Sequence, residues 1–206
     1  IYYRSLQLDD ALRYLEISRD ISNEIEDFRG TILSNLSLGL IYLRTEKCDK
    51  ANEVYEFIEE TNREKPLVDS EVLTSYYTFM GEYFMYYGKL EDALKYFSLL
   101  SDITKEYSNR DYLYAESIIF IIKGFDHSDY DKDKLVNIIN EYQTNEMNNI
   151  ELEICLVFAL ISVKYNDIDY HNINSAIVSS VVPNVMYSFQ NALKKFFDIE
   201  PIVVGP

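Results

Sequence analysis

The stretch that decides the fold is Tyr77–Phe97, which reads YTFMGEYFMYYGKLEDALKYF. Aromatic and apolar residues fill both sides of Gly88, and glycine is the residue that most often ends a helix. Gly88–Phe97 therefore has the order of a turn followed by a second helix. We predict two helices joined by a short turn.

The same pattern occurs earlier in the chain at a constant offset of 42 residues. Six positions match in small or bulky character; they are Asn35, Leu38, Gly39, Tyr42, Ala51 and Tyr55 in the first copy, and Tyr77, Met80, Gly81, Phe84, Ala93 and Phe97 in the second. A partial third copy at Leu8–Ala11 lacks its first helix, of which Ile1–Leu6 is a remnant. A fixed period of this size predicts a stack of repeated units.

The two glycines explain why the pattern is needed. Gly39 and Gly81 fall in the middle of predicted helices, where glycine costs about 1 kcal/mol relative to alanine. A close approach of the second helix would offset that cost, and we expect Ala51 and Ala93 to face the glycines. Large side chains then fill the space around this approach, at Tyr42, Tyr55, Phe84 and Phe97.

These residues resemble the tetratricopeptide repeat, whose pattern is W-x2-L-G-x2-Y followed by A-x3-F. The resemblance implies an all-α fold in which antiparallel helical hairpins stack into a right-handed superhelix, with about five units and a C-terminal capping helix. It covers one domain, 1–200, clear over 1–106 and divergent over 107–200, with 201–206 as a linker or tail. The longer period and Asp27–Gly30 resemble the long-helix form found in bacterial regulatory proteins.

Helix boundaries follow from caps and breakers. Starts are predicted at Asp9, Asp69-Ser70, Asp131 and Asn184, and stops at Lys65-Pro66 and Gly88. The predicted helices are 1–6, 8–25, 27–45, 48–64, 69–87, 90–106, 109–124, 132–144, 147–165, 171–182 and 184–198. Extending the period places Lys123 and Lys164 at the glycine position and Leu135 and Ala176 at the alanine position.

Composition narrows the function classes. A formal net charge of −16 repels phosphate, so we expect no nucleic acid and no anionic membrane as a partner. The acidity either keeps the surface soluble or attracts a basic partner. Two cysteines, Cys48 and Cys155, make no disulfide framework, which indicates a cytoplasmic protein. The apolar run Ile154–Val163 is too short to span a bilayer.

No set of residues predicts catalysis, a metal site or a cofactor. Asp129, Asp131 and Asp133 have the spacing that opens a calcium loop, but Lys134 and Asn140 stand where the loop needs glycine and glutamate. His127 and His171 are 44 residues apart and are expected in turns. Cys155 is expected in the core and Cys48 at a turn. We expect no enzyme.

The resemblance also predicts where a partner binds, since first-helix positions line the concave groove of such arrays. Ten positions carry over to this sequence: Leu33, Leu36, Leu40, Leu43, Arg44, Ser75, Thr78, Glu82, Met85 and Tyr86. Alternatively, the leucines pack on a neighbouring hairpin. Core packing accounts for Tyr77 and Phe84, whereas the other tyrosines of this helix cannot all point inward. Leu36 and Leu40 stand where a carboxylate clamp needs lysine and asparagine, which disfavours a chaperone-tail adaptor.

The sequence therefore predicts a non-catalytic scaffold that binds a protein or peptide, as the regulatory segment of a larger bacterial protein. The alternative is a signalling-peptide receptor that controls an attached output domain. A homodimer is left open.

Overall fold

A computed structural model describes residues 5–125 without a gap, together with 137–138, 141, 174–178, 190, 193–194 and 199–203. Apart from one pair of two-residue strands, the regular structure in these ranges is helical, as predicted. Six helices occupy the continuous stretch; they are α1 (Ser5–Glu24), α2 (Phe28–Arg44), α3 (Cys48–Glu64), α4 (Ser70–Tyr86), α5 (Leu90–Thr104) and α6 (Asn109–Phe125). Close contacts divide the chain into two compact units, Ile1–Tyr112 and Leu113–Pro206.

Three of the turns in the first unit share one geometry. After α1, α2 and α4 the backbone passes through the left-handed region at Glu26, Glu46 and Gly88, with φ of 56°, 58° and 68°. The next amide reaches back to a carbonyl in the last helical turn, as from Lys47 to Tyr42 at 2.9 Å and from Lys89 to Phe84 at 2.9 Å. These bonds satisfy carbonyls that the helix end leaves without a partner. The predicted stop at Gly88 is confirmed.

The other predicted boundaries depend on a proline and an aspartate. α3 ends at Glu64, and Lys65 leaves in an extended conformation before Pro66, as the residue before proline prefers. α4 then begins at Ser70, where the Asp69 side chain accepts the amides of Glu71 and Val72, both at 3.0 Å. This cap confirms the predicted start at Asp69-Ser70.

The predicted start at Asp9 is wrong. α1 begins at Ser5 and continues without interruption to Glu24, so Asp9 lies inside a helix. No glycine or proline stands between Ser5 and Glu24, and nothing in that stretch breaks the helix.

The two mid-helix glycines are buried at close helix contacts, but the facing residues differ from those predicted. A Cβ on Gly81 would lie 2.8 Å from the ring of Phe97 in α5. One on Gly39 would lie 2.5 Å from the ring of Phe79 in α4 and 2.9 Å from Val54 in α3. Ala51 and Ala93 are fully buried but contribute none of the nearest atoms. Larger side chains therefore occupy the space that each glycine leaves.

The helices of the first unit do not all approach one another equally. α2 packs closely on α1, α3 and α4, and α4 packs closely on α5. α3 and α4 make few close backbone contacts. The gap between these two helices is instead filled by aromatic rings, including a stack of Tyr55 on Tyr83.

In the second unit the described residues include most of α6 and a small strand pair. Ile177–Val178 (β1) runs parallel to Ile202–Val203 (β2), and the amide of Ile202 donates to the carbonyl of Ala176 at 2.8 Å. The helix predicted over 171–182 is therefore wrong at 174–178, where Ala176 is not helical. β-Branched residues at both strands favour extended backbone over helix. Of the predicted tail, Pro201–Val203 is described; Ile202–Val203 is extended but pairs with an earlier segment.

Lys123, which the extrapolated period places at the glycine position, is exposed near the end of α6. Its side chain is therefore not buried against another helix of the described residues. Of the remaining predicted helices, 147–165 lies outside the described residues. The few described positions of 132–144 and 184–198, which are 137–138, 141, 190 and 193–194, are helical. Within the described ranges, no helix combines the length and hydrophobicity that crossing a bilayer requires.

Candidate binding surface

Three of the ten predicted groove residues are not accessible to a partner. Leu36 is fully buried, and Leu43 and Glu82 are each 6% exposed. Leu36 and Leu43 face the interior because α2 packs against three neighbouring helices and leaves little of its circumference to solvent. Glu82 lies on α4, which packs closely on α2 and α5. For Leu36 and Leu43, the alternative of packing on a neighbouring helix is the one the structure supports.

The other seven positions retain some exposure. Leu33, Leu40, Ser75, Thr78 and Met85 are half-buried. Arg44 and Tyr86, which occupy equivalent places in the two copies of the pattern, are exposed. Among the predicted groove residues, only Tyr86 also belongs to a cluster of four tyrosines at α3 and α4.

Four tyrosines form a connected surface along α3 and α4, which we call the tyrosine surface: Tyr55, Tyr83, Tyr86 and Tyr87. Tyr55 and Tyr83 are stacked, with ring centroids 4.3 Å apart and planes 3° from parallel. Tyr83 lies 4.8 Å from Tyr87, and Tyr87 meets Tyr86 edge to face at 5.3 Å. Offset and edge-to-face contacts are the favourable arrangements for aromatic pairs.

One amide fixes two of these rings. The side-chain oxygen of Asn52 accepts from the hydroxyl of Tyr83 at 2.9 Å and from that of Tyr87 at 2.8 Å. A carbonyl oxygen has two lone pairs, so it can accept both bonds. Asn52 lies on α3, Tyr83 lies on α4 and Tyr87 is the residue that follows α4. The amide therefore ties α3 to the C-terminal end of α4.

At the end of the surface, the Tyr86 hydroxyl lies 3.1 Å from the Cys48 sulfur. The thiol is half-buried and also lies 3.5 Å from the carbonyl oxygen of Glu46. Tyr86 and Tyr87 remain 44% and 39% exposed in spite of these contacts. The outer two rings of the tyrosine surface are therefore held in place and still open to solvent.

Burial and nearby carboxylates both act on the hydroxyls of the tyrosine surface. Burial raises the pKa of Tyr83 to about 12, with smaller contributions from neighbouring groups that include Glu56. The Cys48 contact, with burial and the Glu46 charge, raises the pKa of Tyr86 to about 12. Burial also raises the pKa of Tyr55, to which Glu59 and Asp92 add. All three hydroxyls stay protonated at neutral pH and can donate hydrogen bonds.

Deeper in the same gap, Tyr76 is the buried tyrosine, at 5% exposure, whereas Tyr77 is half-buried. The Tyr76 hydroxyl donates to Glu59 at 2.8 Å, and burial raises its pKa. Our assignment of Tyr77 to the core is therefore only partly right, while that of Phe84 is confirmed, since it is 9% exposed. The period alone could not distinguish two adjacent tyrosines.

A cleft lies among α1, α2 and α3, apart from the tyrosine surface. It is a cleft of about 230 Å³ whose lining is mainly polar and charged; it consists of Glu16, Arg19, Asn35, Tyr42, Lys50, Glu53 and Val54. The Tyr42 hydroxyl donates to Glu16 at 3.3 Å, and the Lys50 ammonium lies 5.3 Å from the Tyr42 ring. The lining contains two acidic and two basic side chains.

Among the residues that the structure describes, no three histidine, cysteine or acidic side chains come together as metal ligands. Asp129, Asp131 and Asp133, both histidines and Cys155 lie outside the described residues. No protein-family model matches the chain. No solved structure matches it either.

Proposed function

We propose that the chain is an array of helical hairpins of tetratricopeptide type. Support comes from the order of contacts along the helices. Between α2 and α3, Gly39 meets Val54 and Tyr42 meets Lys50. The residue numbers therefore increase along α2 while those of their partners decrease along α3. Contacts in this order belong to antiparallel neighbours.

The relation between α2 and α4 supports repetition. Arg29 of α2 pairs with Glu71 of α4, its equivalent 42 residues later, and Gly39 lies against Phe79. Here the residue numbers of the two partners increase together, as they do when two helices lie side by side and run in the same direction. This is the relation that stacked hairpins impose on their first helices.

We infer that the function of this array is non-catalytic binding of a protein or peptide. The observation that carries the proposal is the tyrosine surface, whose rings are fixed by Asn52 and by mutual stacking while Tyr86 and Tyr87 stay exposed. Tyrosine is enriched where proteins bind one another, since a ring offers a large contact area and loses little conformational entropy.

The chemistry of the surface favours a basic segment as the partner. The charges of Glu46 and Glu56 contribute to the raised pKa of Tyr86 and of Tyr83, respectively. The whole chain carries a net charge of −16. A lysine or arginine placed over a tyrosine face gains a cation–π contact, and acidic neighbours strengthen it. The partner we propose therefore presents basic side chains beside an apolar or aromatic anchor.

A peptide array tests this proposal. The purified protein is applied to peptides that combine basic and aromatic residues, with charge-reversed versions of each peptide as the internal comparison. Each hit is then titrated by calorimetry against the wild type and against a Tyr86→Ala/Tyr87→Ala variant. Loss of both rings should weaken binding at least about tenfold, as expected when a hot spot is removed.

Tyr107→Ala is the matched control, since Tyr107 is an exposed tyrosine outside the surface, at 54% exposure. The control should bind as the wild type does. If the double variant binds with unchanged affinity, the tyrosine surface is not the site. The alternative function, a signalling-peptide receptor, additionally requires that a saturating short peptide raise the melting temperature.

A further inference from the structure

The outer face of α1 carries an apolar stripe that no part of the described chain covers. Tyr14, Ile17, Ile21 and Ile25 follow one another at helical spacing and are 63%, 44%, 51% and 68% exposed. Ile25 continues the line in the turn that follows the helix. The opposite face of α1, which includes the buried Leu12 and Ser22, is the one that packs on α2.

Aliphatic side chains in a continuous row are unusual on a free surface. Scattered exposed hydrophobic residues need no explanation, but an unbroken row three or four residues apart marks a face that another element covers. The row extends over about 16 Å of helix at 1.5 Å per residue. A second helix of similar length could cover it fully.

The charges beside the stripe indicate which helix that is. Arg13, Asp20 and Glu24 lie seven and four residues apart along one flank and are all exposed. Arg13 and Glu24 lie at similar distances from the middle of the stripe, Arg13 on the N-terminal side and Glu24 on the C-terminal side. If a second copy of the helix packs antiparallel, Arg13 of each copy lies beside Glu24 of the other, which gives two such pairs.

The apolar side chains match in the same arrangement. With residue 19 at the two-fold axis, Ile17 faces Ile21 of the second copy, and Tyr14 lies near Ile25. Asp20 comes near its own equivalent, but Arg19 of the same chain already binds Asp20 at 3.1 Å and offsets its charge. The stripe is thus complementary to itself, which is what a two-fold interface requires.

We propose that the protein forms a homodimer in which two α1 helices pack antiparallel through Tyr14, Ile17, Ile21 and Ile25. One helix face buries less area than a standard protein interface, so we expect a reversible dimer. It should form as the protein concentration rises from about 1 to 100 µM. The tyrosine surface is on α3 and α4, and the dimer does not depend on the binding function proposed above.

Sedimentation equilibrium across that concentration range tests the proposal. The wild type should pass from monomer to dimer mass, and Ile17→Glu/Ile21→Glu should remain monomeric at every concentration. Circular dichroism should show both proteins equally folded, because the two side chains are exposed. A wild type that is monomeric throughout, or a variant that still dimerises, would overturn the proposal.

A charge exchange separates this interface from any other self-association. Arg13→Glu and Glu24→Arg each place like charges opposite one another and should weaken the dimer about tenfold or more. The combined Arg13→Glu/Glu24→Arg variant restores opposite charges and should return to within about threefold of the wild type. If the combined variant is as weak as the single ones, the helices are not antiparallel in this register and the proposal fails.

Discussion

The two helix pairs of the first unit, α2 with α3 and α4 with α5, use the same sequence pattern in different ways. In the second pair, the ring of Phe97 is fully buried against Gly81. In the first pair, the equivalent residue of Phe97 is Tyr55, yet Val54 and Phe79 occupy the space beside Gly39. Tyr55 is instead stacked on Tyr83 in the tyrosine surface. The comparison shows that equivalent positions of one sequence pattern can serve packing in one helix pair and a surface in the other.

The largest effect should come from removing the two equivalent aromatic residues. Phe97→Ala leaves a cavity in a fully buried site and should cost about 3–5 kcal/mol of unfolding free energy. Tyr55→Ala should cost less than half of that, since Tyr55 is half-buried and solvent can fill its place. Urea denaturation of both variants measures the difference. Equal losses would mean that both residues do the same structural work.

Adding bulk at the glycine should come next. Gly81→Leu puts a side chain where a Cβ alone would lie 2.8 Å from the Phe97 ring, and overpacking of this kind costs about 3 kcal/mol. Asp102→Leu adds the same side chain at an exposed position of α5 and serves as the control. If Gly81→Leu and the control have the same melting temperature, the close contact is absent.

The turns that follow α2 and α4 also differ, and the expected effect is smaller. Glu46 and Gly88 hold the same left-handed position after α2 and α4, but only glycine adopts it without cost. Glu46→Gly should therefore stabilise the protein by about 1 kcal/mol. Gly88→Ala should destabilise it by a similar amount. That amount is the cost of the left-handed φ alone, because no atom lies near enough to clash with an added Cβ. If the two substitutions shift the melting temperature in the same direction, the left-handed φ does not set the stability of these turns.

The smallest effect concerns pH. The pKa of Tyr83 and of Tyr86 is raised to about 12 in the folded protein, above the usual value near 10. Between these values the unfolded chain loses the protons that the folded chain keeps, so stability is complete below about pH 10 and falls as the pH rises toward 12. Unfolding free energy measured across this window should fall less steeply in Tyr83→Phe/Tyr86→Phe.

The control for the pH experiment is Tyr107→Phe, which removes a hydroxyl outside the tyrosine surface. Its profile should follow that of the wild type. If the control flattens the profile as much as the double variant does, the effect belongs to tyrosine in general and not to this surface.

Much of the first unit could be predicted from the sequence because its signals are local. Gly88, Pro66 and the Asp69 cap act on their own backbone, and they set boundaries that the structure reproduces within two residues. The start of α1 was missed because an aspartate that could cap a helix at Asp9 can equally lie within one. The pair β1–β2 was missed because its partners are 25 residues apart and neither strand has a periodic pattern.

The candidate site was harder to predict than the fold. A repeat pattern gives the phase of each helix, but it does not give the number of neighbours around it. Leu36, Leu43 and Glu82 were assigned to a groove and are buried. Asn52, which holds Tyr83 and Tyr87, has no signal in the sequence, because its role exists only once α3 and α4 are brought together.

Tyr55 lies outside the packing position that Phe97 fills. A pair of double-mutant cycles measures this difference. Gly81→Ala combined with Phe97→Leu should show a coupling energy of about 1–2 kcal/mol, because the two residues are in contact. Gly39→Ala combined with Tyr55→Leu should be additive within about 0.5 kcal/mol. Equal coupling in the two cycles would contradict this difference.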